Sequence, residues 1–408
     1  MKSVGMLTHS YYLRDPRVRR EAETLARGGY DVDVVCLGVR GEPRREVVNG
    51  VRIYRIPLTH RRDSKVRYVF EYASAMVLFF VWISTLHLFA RRYQLVQVHT
   101  PPDILAVSAL VCRVTGAKVL LDVHDPLPET LATKYTEKVS RWLVRLAEWQ
   151  ERVACRLAHA VITVTEQVRD ALVARGAPAQ RTAVVMNFAD PRIFDRLVAR
   201  AAAPQAQGGD GRATLVFMGT LTYQYGVDVA LEALALVRRR VPEARLKVIG
   251  DGEHRPALEE RTHSLGLDRA VEFVGMVPID RIPEVALPAA IGLAPHRRDR
   301  LYDMCFPSKI YDYLALGLPV IACRTKSLEY YYGSETLAFF ESEDAADLAD
   351  RIVTLLGDAD AVARYREQGA RFLAGHNWHH EGRRYLEIVD ALMGSAPRRT
   401  PERSVSEG

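Results

Sequence analysis

Short apolar runs alternate with stretches of helical periodicity along most of the chain. In the first half these runs predict strands at 3–7, 32–36, 51–56, 95–99, 118–122, 160–164 and 183–186. In the second half they predict strands at 214–219, 245–249, 271–274, 291–294 and 319–322. Strands that alternate with helices form parallel sheets covered by helices on both faces. The sequence therefore predicts an α/β protein built from two doubly wound domains.

The boundary between the two domains is predicted from composition. Residues 200–211 are rich in Gly, Ala and Pro, which is typical of a linker. We assign a first domain to 1–198, a linker to 199–212 and a second domain to 213–378. A last helix at 379–393 is expected to pack back on the first domain, and the polar tail 395–408 to be disordered.

Composition and cysteine usage point to an ordinary cytoplasmic protein. The chain has 408 residues, of which 48% are apolar and 26% charged, as in soluble globular proteins. Its five cysteines form no CxxC pair, which argues against a disulfide framework or a zinc site. The apolar stretch at the N-terminus is too short for a signal peptide and is predicted to be a strand.

The positive charge is concentrated in the first half. Residues 1–150 hold 23 Lys and Arg against 15 Asp and Glu, whereas the rest of the chain holds 33 against 35. No nucleic-acid-binding motif accompanies this excess, so nucleic acid is not expected as a partner. An anionic membrane surface or a phosphate-bearing acceptor accounts for the asymmetry better.

Residues 72–90 carry no formal charge, and basic residues flank them: Arg61, Arg62, Lys65 and Arg67 before, and Arg91 and Arg92 after. Their length reaches the threshold for a membrane-spanning helix. A spanning helix would separate strand 3–7 from strands that are expected to share its sheet, so spanning is the least favoured interpretation. A buried core helix and a helix in the membrane interface both remain open. We predict a peripheral membrane contact through 61–92.

Residues 306–322 (FPSKIYDYLALGLPVIA) predict a loop, a short helix, a tight turn and a strand. Lys309 and Asp312 lie three residues apart, so both can occupy one side of that helix. The free N–H groups at a helix N-terminus favour an anion. A carboxylate one turn further along can accept hydrogen bonds from sugar hydroxyls. The segment therefore suits a sugar nucleotide, although a surface ion pair on an ordinary α/β unit fits the same residues.

Four stretches together resemble retaining glycosyltransferases of family 4, of the bacterial surface-polysaccharide type. They are 15–32 (DPRVRREAETLARGGYDV), 99–103 with 121–129 (HTPPD, LDVHDPLPE), 161–165 with 184–190 (VITVT, VVMNFAD), and 216–227 with 248–253 and 306–322 (VFMGTLTYQYGV, VIGDGE). The resemblance covers about residues 3–390. It implies the GT-B fold, in which two Rossmann-like domains face each other across a cleft.

The resemblance also implies site residues. Catalytic roles fall on His124, Lys309 and Asp312. Contacts to the donor are implied for Gly219, Thr220, Gly250, Asp251, Gly252, Phe273, Val274, Gly275, Arg297, Asp303, Pro307 and Ser308. Contacts to the acceptor are implied for Arg14, Asp15, Arg17 and His99. Asp15 precedes a proline, however, and equally fits a helix N-cap.

The chain departs from the family pattern at two places. Basic residues that the family commonly uses on the diphosphate are replaced by Thr220 and Tyr225, so Lys309, Arg297 and Arg298 are the candidate cations. The first Glu of the family's Glu-x7-Glu signature falls at Met304. Neighbouring Asp303 is a possible substitute, and Asp312 takes the second position.

The function expected from these features is sugar transfer from a nucleotide diphospho-sugar to a hydroxyl of a lipid-linked or membrane-proximal glycan. No cofactor and no metal are expected, since no Asp-x-Asp occurs in a metal-ligand context. The protein is expected to be cytoplasmic and peripheral on the inner face of the membrane. A catalytically weak nucleotide-sugar-binding scaffold and a GT-B epimerase are the alternatives.

Overall fold

A computed structural model describes residues 2–39, 41–57, 65–134, 141–188, 213–278, 281–287 and 289–394, without the side chains of 65–73 and 134. The chain divides into two compact units. The first comprises Met1–Met186 with Glu381–Gly408, and the second comprises Asn187–His380. The predicted linker 199–212 and tail 395–408 lie outside the described residues.

The first unit is built on a sheet of eight strands in the order β3-β4-β2-β1-β5-β6-β7-β8. The strands are β1 Ser3–Thr8, β2 Asp31–Leu37, β3 Arg45–Val48, β4 Val51–Ile56, β5 Leu95–Thr100, β6 Lys118–Val123, β7 Ala160–Thr163 and β8 Thr182–Val184. The helices are α1 Pro16–Arg27, α2 Lys65–Leu86, α3 Leu110–Val114, α4 Leu127–Lys134, α5 Arg141–Leu157 and α6 Glu166–Ala174. Strand pairs are parallel except β3–β4.

The second unit has a parallel sheet of six strands in the order β11-β10-β9-β12-β13-β14. The strands are β9 Thr214–Met218, β10 Arg245–Ile249, β11 Val271–Gly275, β12 Ile291–Ala294, β13 Val320–Cys323 and β14 Ala338–Phe340. The helices are α7 Val227–Val237, α8 Arg255–Ser264, α9 Ile282–Ala286, α10 Ser308–Ala315, α11 Lys326–Thr336, α12 Ala345–Gly357 and α13 Ala359–Gly375. The last helix, α14 Trp378–Leu392, belongs to the first unit from Glu381 onwards.

Both sheets have the doubly wound arrangement that the alternating pattern predicts. In each sheet, the unit's first strand lies in the interior, and later strands are added on both sides of it. This point of reversal lies between β1 and β5 in the first unit and between β9 and β12 in the second. Ligands of open α/β sheets bind beyond the carboxyl ends of the strands at such a point.

Helix α2 and the π turn His87–Arg91 contain the apolar segment predicted to contact a membrane. Ala75, Phe79, Ile83 and His87 recur every four residues and are buried, so one side of the helix packs on its own unit. Within the described residues, Ser74–Arg91 is one stretch whose length and composition would allow it to cross a membrane. Residues 61–64 of the predicted contact lie outside the described residues.

Candidate functional site

In the second unit, the loops after β9, β10 and β11 are joined by backbone hydrogen bonds. The N–H of Gly219 donates to the last residue of β10 (2.9 Å), and the N–H of Gly250 donates to Gly275 (2.8 Å). All three glycines have positive φ, at 146°, 133° and 81°, which other residues adopt rarely. A Cβ on Gly250 would overlap the Gly219 carbonyl, and one on Gly252 would overlap Leu221. These glycines therefore allow the loops after β9 and β10 to pack closely against each other.

Lys309 lies in the first turn of α10 and is buried. Its Nζ lies 4.2 Å from the ring centroid of Phe217 and 3.8 Å from that of Tyr225. Among the described residues, this Nζ has no hydrogen-bond partner. Burial lowers the pKa of Lys309 well below its ordinary value, against the opposing charge of Asp312. A buried ammonium group without a counter-ion is unfavourable, so the position suits an anionic ligand.

Tyr313 holds α10 at the point where the strand order reverses. Its hydroxyl accepts from the N–H of Met218 at the end of β9 (2.7 Å) and donates to the carbonyl of Leu293 in β12 (3.1 Å). A Cβ on Gly292 would lie 2.6 Å from the ring, so this glycine makes room for it. On the same helix, burial raises the pKa of the partly exposed Asp312 to about 7, against the opposing charge of Lys309.

The other two candidate cations are engaged in ion pairs. Arg297 donates two hydrogen bonds to the Asp228 carboxylate (2.6 and 3.0 Å) and also pairs with Glu343 (3.0 Å). Arg298 pairs with Asp303 (2.9 Å). Of the three cations offered by the sequence, Lys309 is thus the one that no described carboxylate hydrogen-bonds.

The remaining predicted donor residues lie around this position. Thr220 is exposed directly after β9, and Pro307 is the N-cap of α10, without a side-chain cap, ahead of the exposed Ser308. Asp251 accepts from the N–H of Gly252 (2.8 Å). Phe273 and Val274 are half-buried at the end of β11.

Met304 and Asp303 stand at the place of the first Glu of the family's Glu-x7-Glu signature. Met304 at that position is buried, and the Asp303 carboxylate receives the N–H of Lys326 (3.0 Å) in addition to Arg298. The substitute carboxylate is therefore already occupied by groups of its own unit.

In the first unit, two predicted histidines converge on one carboxylate. His99 near the end of β5 and His124 after β6 are stacked, with ring centroids 5.5 Å apart. Asp122 Oδ2 lies 2.8 Å from Nδ1 of His99 and 3.0 Å from Nε2 of His124. Burial alone would raise the pKa of Asp122, but His124 and His99 hold it well below its ordinary value.

The outer nitrogens of the two histidines do not take part in the contacts to Asp122. Nε2 of His99 and Nδ1 of His124 are buried without a hydrogen-bond partner among the described residues. Burial lowers the pKa of His99, which Asp122 opposes. His99, Asp122 and His124 also place three ligand atoms within 4.8 Å of one another, close enough to hold a metal ion. The hydrogen bonds between them already account for this spacing.

The loop after β1 lies beside these histidines. Asp15 accepts from the N–H groups of Arg17 and Val18 and is the N-cap of α1. Burial raises the pKa of Asp15, but Arg17 and then His124 outweigh it and hold the pKa below its ordinary value. Arg17 lies 3.7 Å from Asp125, which follows His124. The exposed Arg14 lies over the ring of Tyr11.

Glu21 of α1, which is not among the predicted site residues, interacts with the Asp122 side chain of this cluster. Gln97 donates to Glu21 (2.6 Å), and Tyr385 donates to Gln97 (2.5 Å). Burial and then the charge of Asp122 raise the pKa of Glu21 well above its ordinary value. The side chains of Glu21 and Asp122 interact, so a protonated Glu21 would donate a hydrogen bond to the Asp122 carboxylate. The available signal was a charged residue on the apolar side of α1, beside Val18 and Ala22.

His296 is a second residue absent from the predicted site. It is buried directly after β12, and its ring centroid lies 5.0 Å from that of Tyr225 and 5.1 Å from that of Tyr302. Burial, together with the charge of Lys309, lowers the pKa of His296 well below its ordinary value. The Lys309 pocket is thus lined by aromatic groups that bear no charge.

Comparison with known proteins identifies the family to which this chain belongs. Residues 15–187 match the family model "Glycosyl transferase 4-like domain", and residues 212–358 match "Glycosyl transferases group 1". The protein is a glycosyltransferase with the GT-B fold.

Three relatives illustrate the match. The 2-deoxystreptamine glucosyltransferase of Streptomyces kanamyceticus is 26% identical over 400 residues, covering 93% of this glycosyltransferase and 98% of that enzyme. A sucrose-phosphate synthase of Thermosynechococcus elongatus superposes with a TM-score of 0.77 at 19% identity, over 97% of this chain and 100% of that one. HepE of Anabaena, solved with UDP and glucose, superposes with a TM-score of 0.69 at 15% identity, over 95% and 99%.

Proposed function

We propose that this glycosyltransferase moves a sugar from a nucleotide diphospho-sugar to a hydroxyl group, with retention at the anomeric carbon and without a metal ion. The observation that carries the proposal is the buried Lys309 ammonium, which lies beside Gly219 without a hydrogen-bond partner. A diphosphate there would supply the missing counter-charge. The N–H groups at the start of α10 add partial positive charge at the same place.

The donor is proposed to bind along the carboxyl ends of β9, β10 and β11. Asp312, one turn after Lys309, would accept the ribose hydroxyls. The glycine loops 219–220, 250–252 and 273–275 would flank the nucleotide through backbone groups. HepE, which has the same fold, was solved with UDP and glucose, and this supports a nucleotide-sugar donor.

Lys309 is proposed to stabilise the charge that develops on the leaving diphosphate. The outer nitrogens of His99 and His124 would contact the attacking hydroxyl, and Arg14, Asp15 and Arg17 the rest of the acceptor. The acceptor is proposed to be a lipid-linked or membrane-proximal glycan in surface polysaccharide or glycolipid synthesis. That places the protein in the cytoplasm, peripheral on the inner face of the membrane.

The test is a thermal-shift and calorimetric screen with UDP, GDP, CDP, ADP and dTDP. At a hundredfold excess over Kd, a nucleotide that binds the folded state alone stabilises it by about 2.7 kcal/mol. One of the five is expected to stabilise the wild type, and Lys309→Met and Asp312→Asn are expected to lose that effect. Lys118→Met, at the exposed start of β6 in the first unit, is the lysine control and should respond as wild type.

No response to any of the five nucleotides would contradict the proposed donor. If a nucleotide is found, product anomers from an acceptor panel are then assigned by NMR. The panel contains a lipid-linked glycan and a cyclitol, since one relative is named for 2-deoxystreptamine. Inversion would contradict the retaining mechanism.

A second candidate function is a nucleotide-sugar-binding scaffold with little turnover. The ion pairs that engage Arg297 and Arg298 favour it, because they leave one of the three candidate cations for the leaving group. A scaffold predicts tight nucleotide binding with neither transfer nor hydrolysis for any acceptor in the panel.

A further inference from the structure

Three helical segments lie side by side on one face of the first unit's sheet: α2 with its π turn, Asp103–Ala109 with α3, and α5. Asp103–Ala109 contacts both α2 and α5. The connections β4–α2–β5, β5–α3–β6 and β6–α5–β7 all progress in the same direction across the sheet. Right-handed crossovers therefore place all three segments on the same face. We call their outward surface the helical face.

The outward side of α5 consists of two parallel rows of side chains. Trp142, Leu146 and Trp149 are exposed at helical spacing, with Trp142 61% and Trp149 53% exposed. Beside them runs a row of charged side chains with the same spacing, Arg141, Arg145, Glu148, Arg152 and Arg156, called the arginine row because four of its five members are arginines. Within this row Arg152 pairs with Glu148 (3.6 Å). The inward side is formed by Ala147, Glu151, Ala154 and Cys155, which are buried. The tryptophans are therefore not the packing side of this helix.

The neighbouring segments continue the apolar row. On α2 and its π turn, Val77, Val81, Leu88 and Phe89 are exposed, Phe89 to 84%. On α3, Leu110 and Val114 are exposed one turn apart. Of the fourteen large apolar residues exposed in the described chain, nine belong to the helical face. Such a concentration marks an interaction surface rather than scattered surface residues.

We propose that the helical face binds an anionic lipid membrane, with Trp142 and Trp149 at the headgroup level and the arginine row on the lipid phosphates. Tryptophan and arginine side by side on one helix suit the interface, where one group is partly apolar and the other meets negative charge. The proposal deepens the membrane contact of the proposed function by naming its surface, because the predicted contact 61–92 excludes α3 and α5.

Charge argues against a second copy of the chain on this face. A two-fold dimer would bring the arginine rows of two copies towards each other, and like charges oppose such an interface. Nucleic acid would leave the aliphatic side chains of α2 and α3 exposed. A lipid surface accommodates both rows at once.

The test is co-sedimentation of the full chain with vesicles, without nucleotide or acceptor, so that it can fail separately from the proposed transfer. Vesicles of phosphatidylcholine alone are compared with vesicles that also contain phosphatidylglycerol. The wild type is expected to bind the anionic vesicles preferentially. The triple variant Arg141→Gln, Arg145→Gln, Arg156→Gln should bind them roughly a hundredfold more weakly, since each arginine contributes about fivefold.

Matched controls come from exposed residues of the second unit. Arg239→Gln, Arg269→Gln and Arg366→Gln remove the same charge and should bind as wild type. Trp142→Ser with Trp149→Ser should release the protein from the vesicles, whereas Tyr330→Ser should not. Equal binding to both vesicle types, no binding at all, or a wild-type response of the tryptophan variant would overturn the proposal. So would a dimer in light scattering that the tryptophan variant dissociates.

Discussion

At the residue scale, Glu21 shows how a buried group without substrate contact can govern two histidines. The side chains of Glu21 and Asp122 interact, and Asp122 in turn pairs with His99 and His124. Because its pKa is raised well above the ordinary value, we expect Glu21 to be protonated and to donate a hydrogen bond to Asp122. Gln keeps both the size of Glu21 and a donor towards Asp122, whereas Leu removes the donor. We expect Glu21→Gln to keep the wild-type ring nitrogen shifts of both histidines in NMR, and Glu21→Leu to change them.

The same pair of variants separates this role from a charged one. If Glu21 acted as a carboxylate, Gln and Leu would disturb the histidines alike. Once an acceptor is known, Glu21→Leu should lower kcat by about tenfold, less than the roughly 10²–10⁴-fold of a direct general acid or base, because Glu21 acts through Asp122. Thermal unfolding of both variants checks that the unit remains folded.

Residues that act through a local pattern can be predicted from sequence, and residues that act through tertiary contact cannot. Lys309 and Asp312 share a helix with a recognisable start, so the sequence indicates that the two side chains lie close together. Glu21 meets Gln97 and Tyr385 only after folding, across 76 and 364 residues. Even so, the sequence could not indicate that Lys309 rests on aromatic rings rather than on a carboxylate.

At the element scale, helix α10 carries a pH dependence. The pKa of Asp312 is about 7 in the folded protein, above its usual value of about 3.9 when unfolded. Between these values the folded state binds more protons, so stability falls as pH rises through that window. In the absence of nucleotide, we expect Asp312→Asn to raise the free energy of unfolding at pH 8 by on the order of 2 kcal/mol. The thermal midpoint should rise accordingly at pH 8 and hardly change at pH 4.

The control for this prediction is Asp360→Asn, an exposed carboxylate in the first turn of α13. It should shift the midpoint little at either pH. A pH-independent effect of Asp312→Asn would show that the carboxyl group is not held neutral by its surroundings.

Elements with a buried apolar pattern are predicted well, and exposed edges are not. Strand 51–56 is predicted to the residue because buried apolar residues recur along it, at Val51, Ile53 and Ile56. Its antiparallel neighbour β3 is missed, since its residues are half-buried or exposed. The Asn49-Gly50 turn, with φ of 50° and 82°, was the signal for that hairpin. Strand β14 has three residues and gives no periodicity.

At the scale of the whole molecule, the first unit is discontinuous in sequence. Residues from Glu381 onwards complete it after the chain has passed through the second unit. Tyr385 and Val389 of α14 are fully buried. Tyr30 donates to Asp390, and Lys2 Nζ donates to the carbonyl of Met393 (3.0 Å). The last helix is thus part of the first unit's core and not an appendage.

This arrangement predicts that fragment 1–188 is unstable alone. Removing α14 takes away two fully buried side chains, Tyr385 and Val389, each contributing roughly 2 kcal/mol, and leaves the Gln97–Glu21 network open at one end. Peptide 378–394 added in trans should raise the fragment's thermal midpoint in a concentration-dependent manner, because it binds the folded state. A peptide with Tyr385→Ala and Val389→Ala should not. If the fragment melted at one temperature with either peptide or none, α14 would not be a structural part of that unit.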